Sequence, residues 1–200
     1  MESKVKFLGH PVHPMLIVFP LGLLATAVLF DIIYLMSDNP QWTVVAYYMV
    51  GAGVIGGLAA AAFGWLDWFV IPGGTRAKRI GLWHGLGNVA VLALFILSWV
   101  LRRDTPSLPP TGAIVAGLAG VVLALVTAWM GGELVNRLGV GVAAGAHLDS
   151  PSSLSELPAG AGLGGVAASG TPLRYAGTER RSGATSYYAG IERRSGLRTS

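Results

Sequence analysis

Four uninterrupted apolar runs constrain this 200-residue chain more than any other feature. They extend over about residues 14–36, 43–66, 80–101 and 112–132. A helix needs about 20 apolar residues, rising 1.5 Å each, to cross a bilayer, and each run meets that length. The balance agrees: 52% of residues are hydrophobic and only 12% charged, against roughly 25% charged in soluble domains. The sequence therefore predicts an all-α membrane protein, a four-helix transmembrane bundle with short loops. Its domain is expected over residues 1–142, with an unstructured Gly/Ala/Ser/Pro-rich tail over 143–200.

The connections give the bundle its direction. Ser37 to Gln41 and Arg102 to Pro106 are short polar turns, so neighbouring helices run antiparallel. Pro72-Gly73-Gly74 ends the second helix. Lys4, Lys6, Arg76, Lys78, Arg79 and Arg137 fall on one side and Arg102 and Arg103 on the other. The positive-inside rule then sets both termini in the cytoplasm of a bacterial inner membrane. Trp65, Trp68, Trp83 and Trp129 line up near the inner face, and Trp42 and Trp99 near the outer one. Lys4, Lys6 and Ala25-Thr26-Ala27 have the outline of a cleaved signal peptide, yet the apolar run continues well past Ala27, which favours a retained helix. Membrane topology accounts for the basic balance, so nucleic acid is not an expected partner; the bilayer is. A redox partner protein or a second copy of the chain are further candidates.

Within the spans, small residues permit close helix approach. Ala116, Gly120, Ala124, Ala128 and Gly132 recur every four residues, and Gly53, Gly57 and Ala61 form a second stripe. These serve either internal packing or a homodimer. Beyond residue 139 a 13-residue spacing relates Tyr175–Gly183 to Tyr188–Gly196. This repeat is either a solvated stretch or a bivalent contact for partners or anionic lipid through Arg180, Arg181, Arg193 and Arg194.

Ionisable groups at membrane depth need a partner or a purpose. Asp31 lies about 27 Å along a helix from His13, which puts it beside Arg102 and Arg103 as an ion pair. The remaining polar groups gather at the opposite end: His10, His13, Asp67, His84 with Asn88 one turn on, and Glu133 with Arg137 one turn on. Cysteine is absent, which excludes disulfides, thiolate metal sites and iron–sulfur clusters held by this chain. Two cofactor readings follow: a haem b held by His13 and His84, or a divalent metal held by His10, His13, His84, Asp67 and Glu133. The alternatives are interfacial residues that cap helices and pair with the basic groups, or proton-coupled solute movement through Asp31 and His84. A non-catalytic organising protein, recruiting partners through its tail, is the alternative at the level of function. No nucleophile elbow, P-loop or HExxH motif is present.

Several motifs occur together: His10-Pro-Val-His-Pro-Met15, Phe19-Pro20, Asp31, Leu66-Asp-Trp68, Arg76, His84 with Asn88, and Gly131-Gly-Glu-Leu-Val-Asn-Arg137 with Gly139-Val-Gly-Val142. In this order they resemble the bacterial membrane family called domain of unknown function 2231, over about residues 7–142. The resemblance implies a four-helix inner-membrane domain and no established activity. Some relatives are joined to Rieske-type iron–sulfur domains, which implies electron transfer. Leu138 departs from the pattern, because many members carry a histidine there.

Overall fold

The first span is a helix with a break in it. In the computed structural model, which describes residues 1–155 and 157–161, a two-residue hairpin pairs Lys6–Phe7 (β1) with His10–Pro11 (β2) and leads into α1, Val12–Leu16. After Ile17 the chain continues as α2, Val18–Ser37. Pro20 explains the joint: it has no amide hydrogen to offer the carbonyl of Leu16, one turn earlier. Together α1 and α2 make one apolar span of 26 residues.

Three further spans follow: α3 over Gln41–Val70, α4 over Arg76–Leu101 and α5 over Thr111–Gly132. All four have the length and hydropathy to cross a membrane, and many of their large apolar side chains, such as Leu21, Ile55, Val89 and Leu125, face outward. Two ends differ from the sequence expectation. Helix α3 continues to Val70 instead of Leu66, and at ~45 Å it is longer than a hydrocarbon core of about 30 Å. Helix α4 begins at Arg76 instead of Ile80, with Thr75 as its N-cap accepting from the Lys78 amide at 3.1 Å. The apolar runs stop short of both ends because the extensions contain charged residues, Asp67 in α3 and Arg76, Lys78 and Arg79 in α4. After α5 the chain makes a π-turn, Glu133–Arg137, and Leu138 donates back to the Glu133 carbonyl at 3.2 Å.

Helix α2 packs on α3 and α4 on α5, while α3–α4 and α2–α5 contacts close the ring. Helices α2 and α4 therefore face each other across the centre. Glycines set the approach. A Cβ on Gly53 would come within 2.6 Å of Leu24, one on Gly57 within 2.5 Å of Leu92, and one on Gly120 within 2.7 Å of Phe95. The small-residue stripe of α5 is thus used inside the bundle, where Gly120 receives Phe95. The apolar middle consists of Leu24, Ala27, Val28, Ala46, Val50, Val54, Val91 and Phe95.

At one end of this middle, Arg102 and Asp31 meet across the α2–α4 diagonal. The guanidinium forks onto the carboxylate at 2.8 and 2.9 Å, and both residues are shut off from solvent, at 0% and 1% exposure. Ser98 accepts from the same guanidinium at 2.9 Å and donates to the Ala113 carbonyl at 2.7 Å, which ties in α5. Arg103, the other expected partner, instead lies 3.4 Å from Asp104 in solvent.

At the other end, an N-terminal strap crosses the helix ends. Ser3 is buried and donates to Asp67 at 2.5 Å, and the Ala144 amide donates to Glu2 at 2.8 Å. The stretch after Gly139, expected to be unstructured from residue 143, begins with turns bonded to this strap and to the hairpin. The tandem repeat of residues 175–196 lies outside the described residues.

Two outcomes are expected. Asp31→Ala leaves a buried guanidinium without its partner and costs about 3–5 kcal/mol, measured by reversible unfolding in detergent. The double change Asp31→Leu with Arg102→Met recovers most of that loss. Lys6 first, and the Ala144 amide second, hold the Glu2 carboxyl below its ordinary value. A carboxyl held low binds its partners above the ordinary value and releases them as pH falls through the lowered one. Exchange protection of the Ala144 amide should therefore hold at neutral pH and disappear only in acid.

Candidate functional site

The polar residues at the strap end divide into those that meet inside the bundle and those that do not. His13 sits in α1 against α3, where its Nδ1 lies 2.8 Å from the Ala60 carbonyl. The ring packs on Gly64, where a Cβ would come within 2.9 Å of it. His84, in the third turn of α4, places its Nδ1 2.9 Å from the Thr127 carbonyl of α5. Gly131 leaves room beside it, since a Cβ there would lie 3.1 Å from the ring. The two imidazoles lie within electrostatic reach of each other.

A carbonyl oxygen can only accept, so Nδ1 carries the hydrogen in both rings and Nε2 carries the lone pair. Asn88 fits the same assignment. Its amide nitrogen donates to the His84 carbonyl at 2.8 Å and sits 3.2 Å from His84 Nε2. Thr127 completes the group, donating to Asn88 Oδ1 at 3.1 Å and to the Ala124 carbonyl at 3.0 Å. The result is a layer of two oriented imidazoles, an amide and a buried hydroxyl, one turn or two inside the bundle.

The other expected ligands are engaged elsewhere. His10 stays in the hairpin, 3.0 Å from Ser153. Asp67 accepts from Ser3, and Glu133 pairs with Arg76 at 2.7 Å. Arg137 follows Glu133 in the π-turn and is exposed. Among the described residues no three or more of His, Cys, Asp or Glu are grouped closely enough to hold a metal ion. The five-residue metal set His10, His13, His84, Asp67 and Glu133 is therefore not assembled. The strap and the π-turn draw its carboxylates outward, while the bundle keeps its inner two histidines.

Sequence reasoning missed Thr127, and it read Gly64 as a helix-packing glycine and Gly131 as part of the Gly131–Arg137 motif without giving either a place beside a histidine. Thr127 had one signal, as the only hydroxyl in the interior of an otherwise apolar α5, and Gly131 lies one turn beyond it. Ser3 had none, because its partner Asp67 is remote in sequence.

Helix order, lipid-facing apolar surface and buried polar layers define a polytopic four-helix membrane protein. The chain belongs to the family described as "Predicted membrane protein (DUF2231)", whose pattern matches residues 9–144, including both polar layers and the π-turn. No curated protein and no solved structure matches the chain.

Thr127→Val keeps the carbonyl facing His84 but removes the hydroxyl facing Asn88. It should cost about 1–3 kcal/mol of bundle stability, since Asn88 Oδ1 is left without its donor. Detergent unfolding measures this, and Thr127→Ser should restore most of the loss.

Proposed function

We propose that the protein is an electron-transfer component of the bacterial inner membrane in which His13 and His84 hold a haem b iron, with both termini in the cytoplasm. One observation carries this reading: both imidazoles have Nδ1 committed to a backbone carbonyl, which puts the lone pair on Nε2, where the Asn88 amide, 3.2 Å from that of His84, would have to give way to an iron. A carbonyl on Nδ1 also fixes ring orientation and raises the basicity of the nitrogen opposite. A haem iron would take its two protein ligands from His13 and His84, whereas a divalent cation needs more ligands than this layer offers.

Bound there, haem supplies a one-electron couple. The chain's own residues orient and shield it. The Ala60 and Thr127 carbonyls hold the two rings, Asn88 is the neighbour closest to His84 Nε2, and the apolar middle closes the layer off from the far side of the membrane. The carboxylates tied to Ser3 and Arg76 lie at the rim, where a redox partner protein approaches. The orientation rests on six Lys and Arg residues flanking the helices at this end against two at the other.

The test is an absorbance spectrum of the full chain, produced with haem supplied and purified in mild detergent. A reduced-minus-oxidised haem band is expected, lost in His13→Ala and in His84→Ala. No haem band and no stoichiometric metal in a folded preparation sinks the proposal.

A further inference from the structure

A second site, independent of the imidazole layer, lies where α4 and α5 end at the strap side. A cleft of about 280 Å³ opens there, many times the roughly 30 Å³ share of a water molecule. Its walls are largely apolar, Ile71, Pro72, Ala77, Leu138 and Val140, with Thr75 and the one charged side chain, Arg76; Met1 also lines it and carries an ammonium that donates to the Gly139 carbonyl at 3.0 Å. Arg76 spends a single nitrogen on Glu133, and its side chain is 53% exposed while that of Glu133 is 17% exposed. Its other nitrogens have no bond among the described residues, so the guanidinium can take a second anion without leaving Glu133.

The surroundings are ordered by polarity. Arg79 is one turn on from Arg76 and exposed, and Arg137 is exposed one turn beyond Glu133. Arg76 alone is bonded to Glu133, and the other two add exposed positive charge near the same helix ends. Trp83 follows seven residues after Arg76 on the same face of α4, also exposed, and Leu86 and Val89 continue the outer surface. Cation, aromatic, then aliphatic is the order a lipid presents as headgroup, interface and chain.

We propose that this cleft binds the headgroup of an anionic phospholipid, with the phosphate on Arg76 and the glycerol against the apolar wall. Charge complementarity requires the anion. The apolar wall argues for an amphiphile over a free phosphate, which would leave most of the cleft without a partner. Leu138 and Val140 contribute to the wall because the π-turn and the strap fold that stretch back over α4.

Native mass spectrometry of the full chain in detergent tests this with two added lipids, phosphatidylglycerol and phosphatidylcholine. Phosphatidylglycerol should be retained about tenfold better. Arg76→Gln and Ala77→Leu, which fills the cleft without touching a charge, should each abolish the preference. Arg103→Gln, an exposed cation at the opposite end, should leave it intact. Equal retention of the two lipids overturns the proposal. So does a preference that survives both cleft variants, or displacement of the lipid by millimolar inorganic phosphate. If Arg76→Gln does not fold, Ala77→Leu and Arg79→Gln decide the matter.

Discussion

Close approach of helix backbones at glycine is the constraint on which this bundle depends. In lipid no hydrophobic force drives helices together, so contact must come from shape. Gly53, Gly57 and Gly120 each accept a large side chain from a neighbouring helix at a distance that any Cβ would forbid. The same device recurs at the polar end, where Gly64 and Gly131 receive imidazoles instead of Leu or Phe. Apolar packing and the histidine layer are thus built by one rule applied to different guests.

The two polar layers use one diagonal. Asp31 and Arg102 meet from α2 and α4, and His13 and His84 come from α1 and α4 at the other end. Between them stand Val50, Val54, Val91 and Phe95 of the apolar middle. The Asp31–Arg102 pair is a fastener. It is fully bonded and shut off from water, and through Ser98 it draws three helices together.

Much of this was legible in the sequence, for reasons that differ by feature. Spans are legible because lipid demands length and apolarity, a local signal; their ends are not, because a helix continues through charged residues, Asp67 in α3 and Arg76 to Arg79 in α4, that end the apolar run. The depth of Asp31 followed from helix rise. The choice of Arg102 over Arg103 did not, since it depends on which face of α4 carries Ser98. His13 and His84 were visible as residues, whereas the carbonyls that orient them belong to Ala60 and Thr127, whose side chains carry no such message. The carboxylates Asp67 and Glu133 misled because depth alone brought them near the histidines, while Ser3 and Arg76 claimed them.

The joint at Ile17 has a consequence for how the histidine layer tolerates change. Pro20 removes one rung, the bond to the Leu16 carbonyl, while rungs on either side of it remain: the Ile17 amide donates to the His13 carbonyl at 3.2 Å and the Leu21 amide to the Ile17 carbonyl at 3.1 Å. The first span can therefore bend at the joint while α1 stays in register with α2. His13 is held twice over, by this ladder through its carbonyl and by α3 through its ring, at Ala60 and Gly64. His84 is likewise held by its own helix and by a neighbour, Thr127 of α5. A bend at the joint thus has to be absorbed by the α1–α3 contact, which makes the Ala60 carbonyl the point where movement of the first span would reach the imidazole.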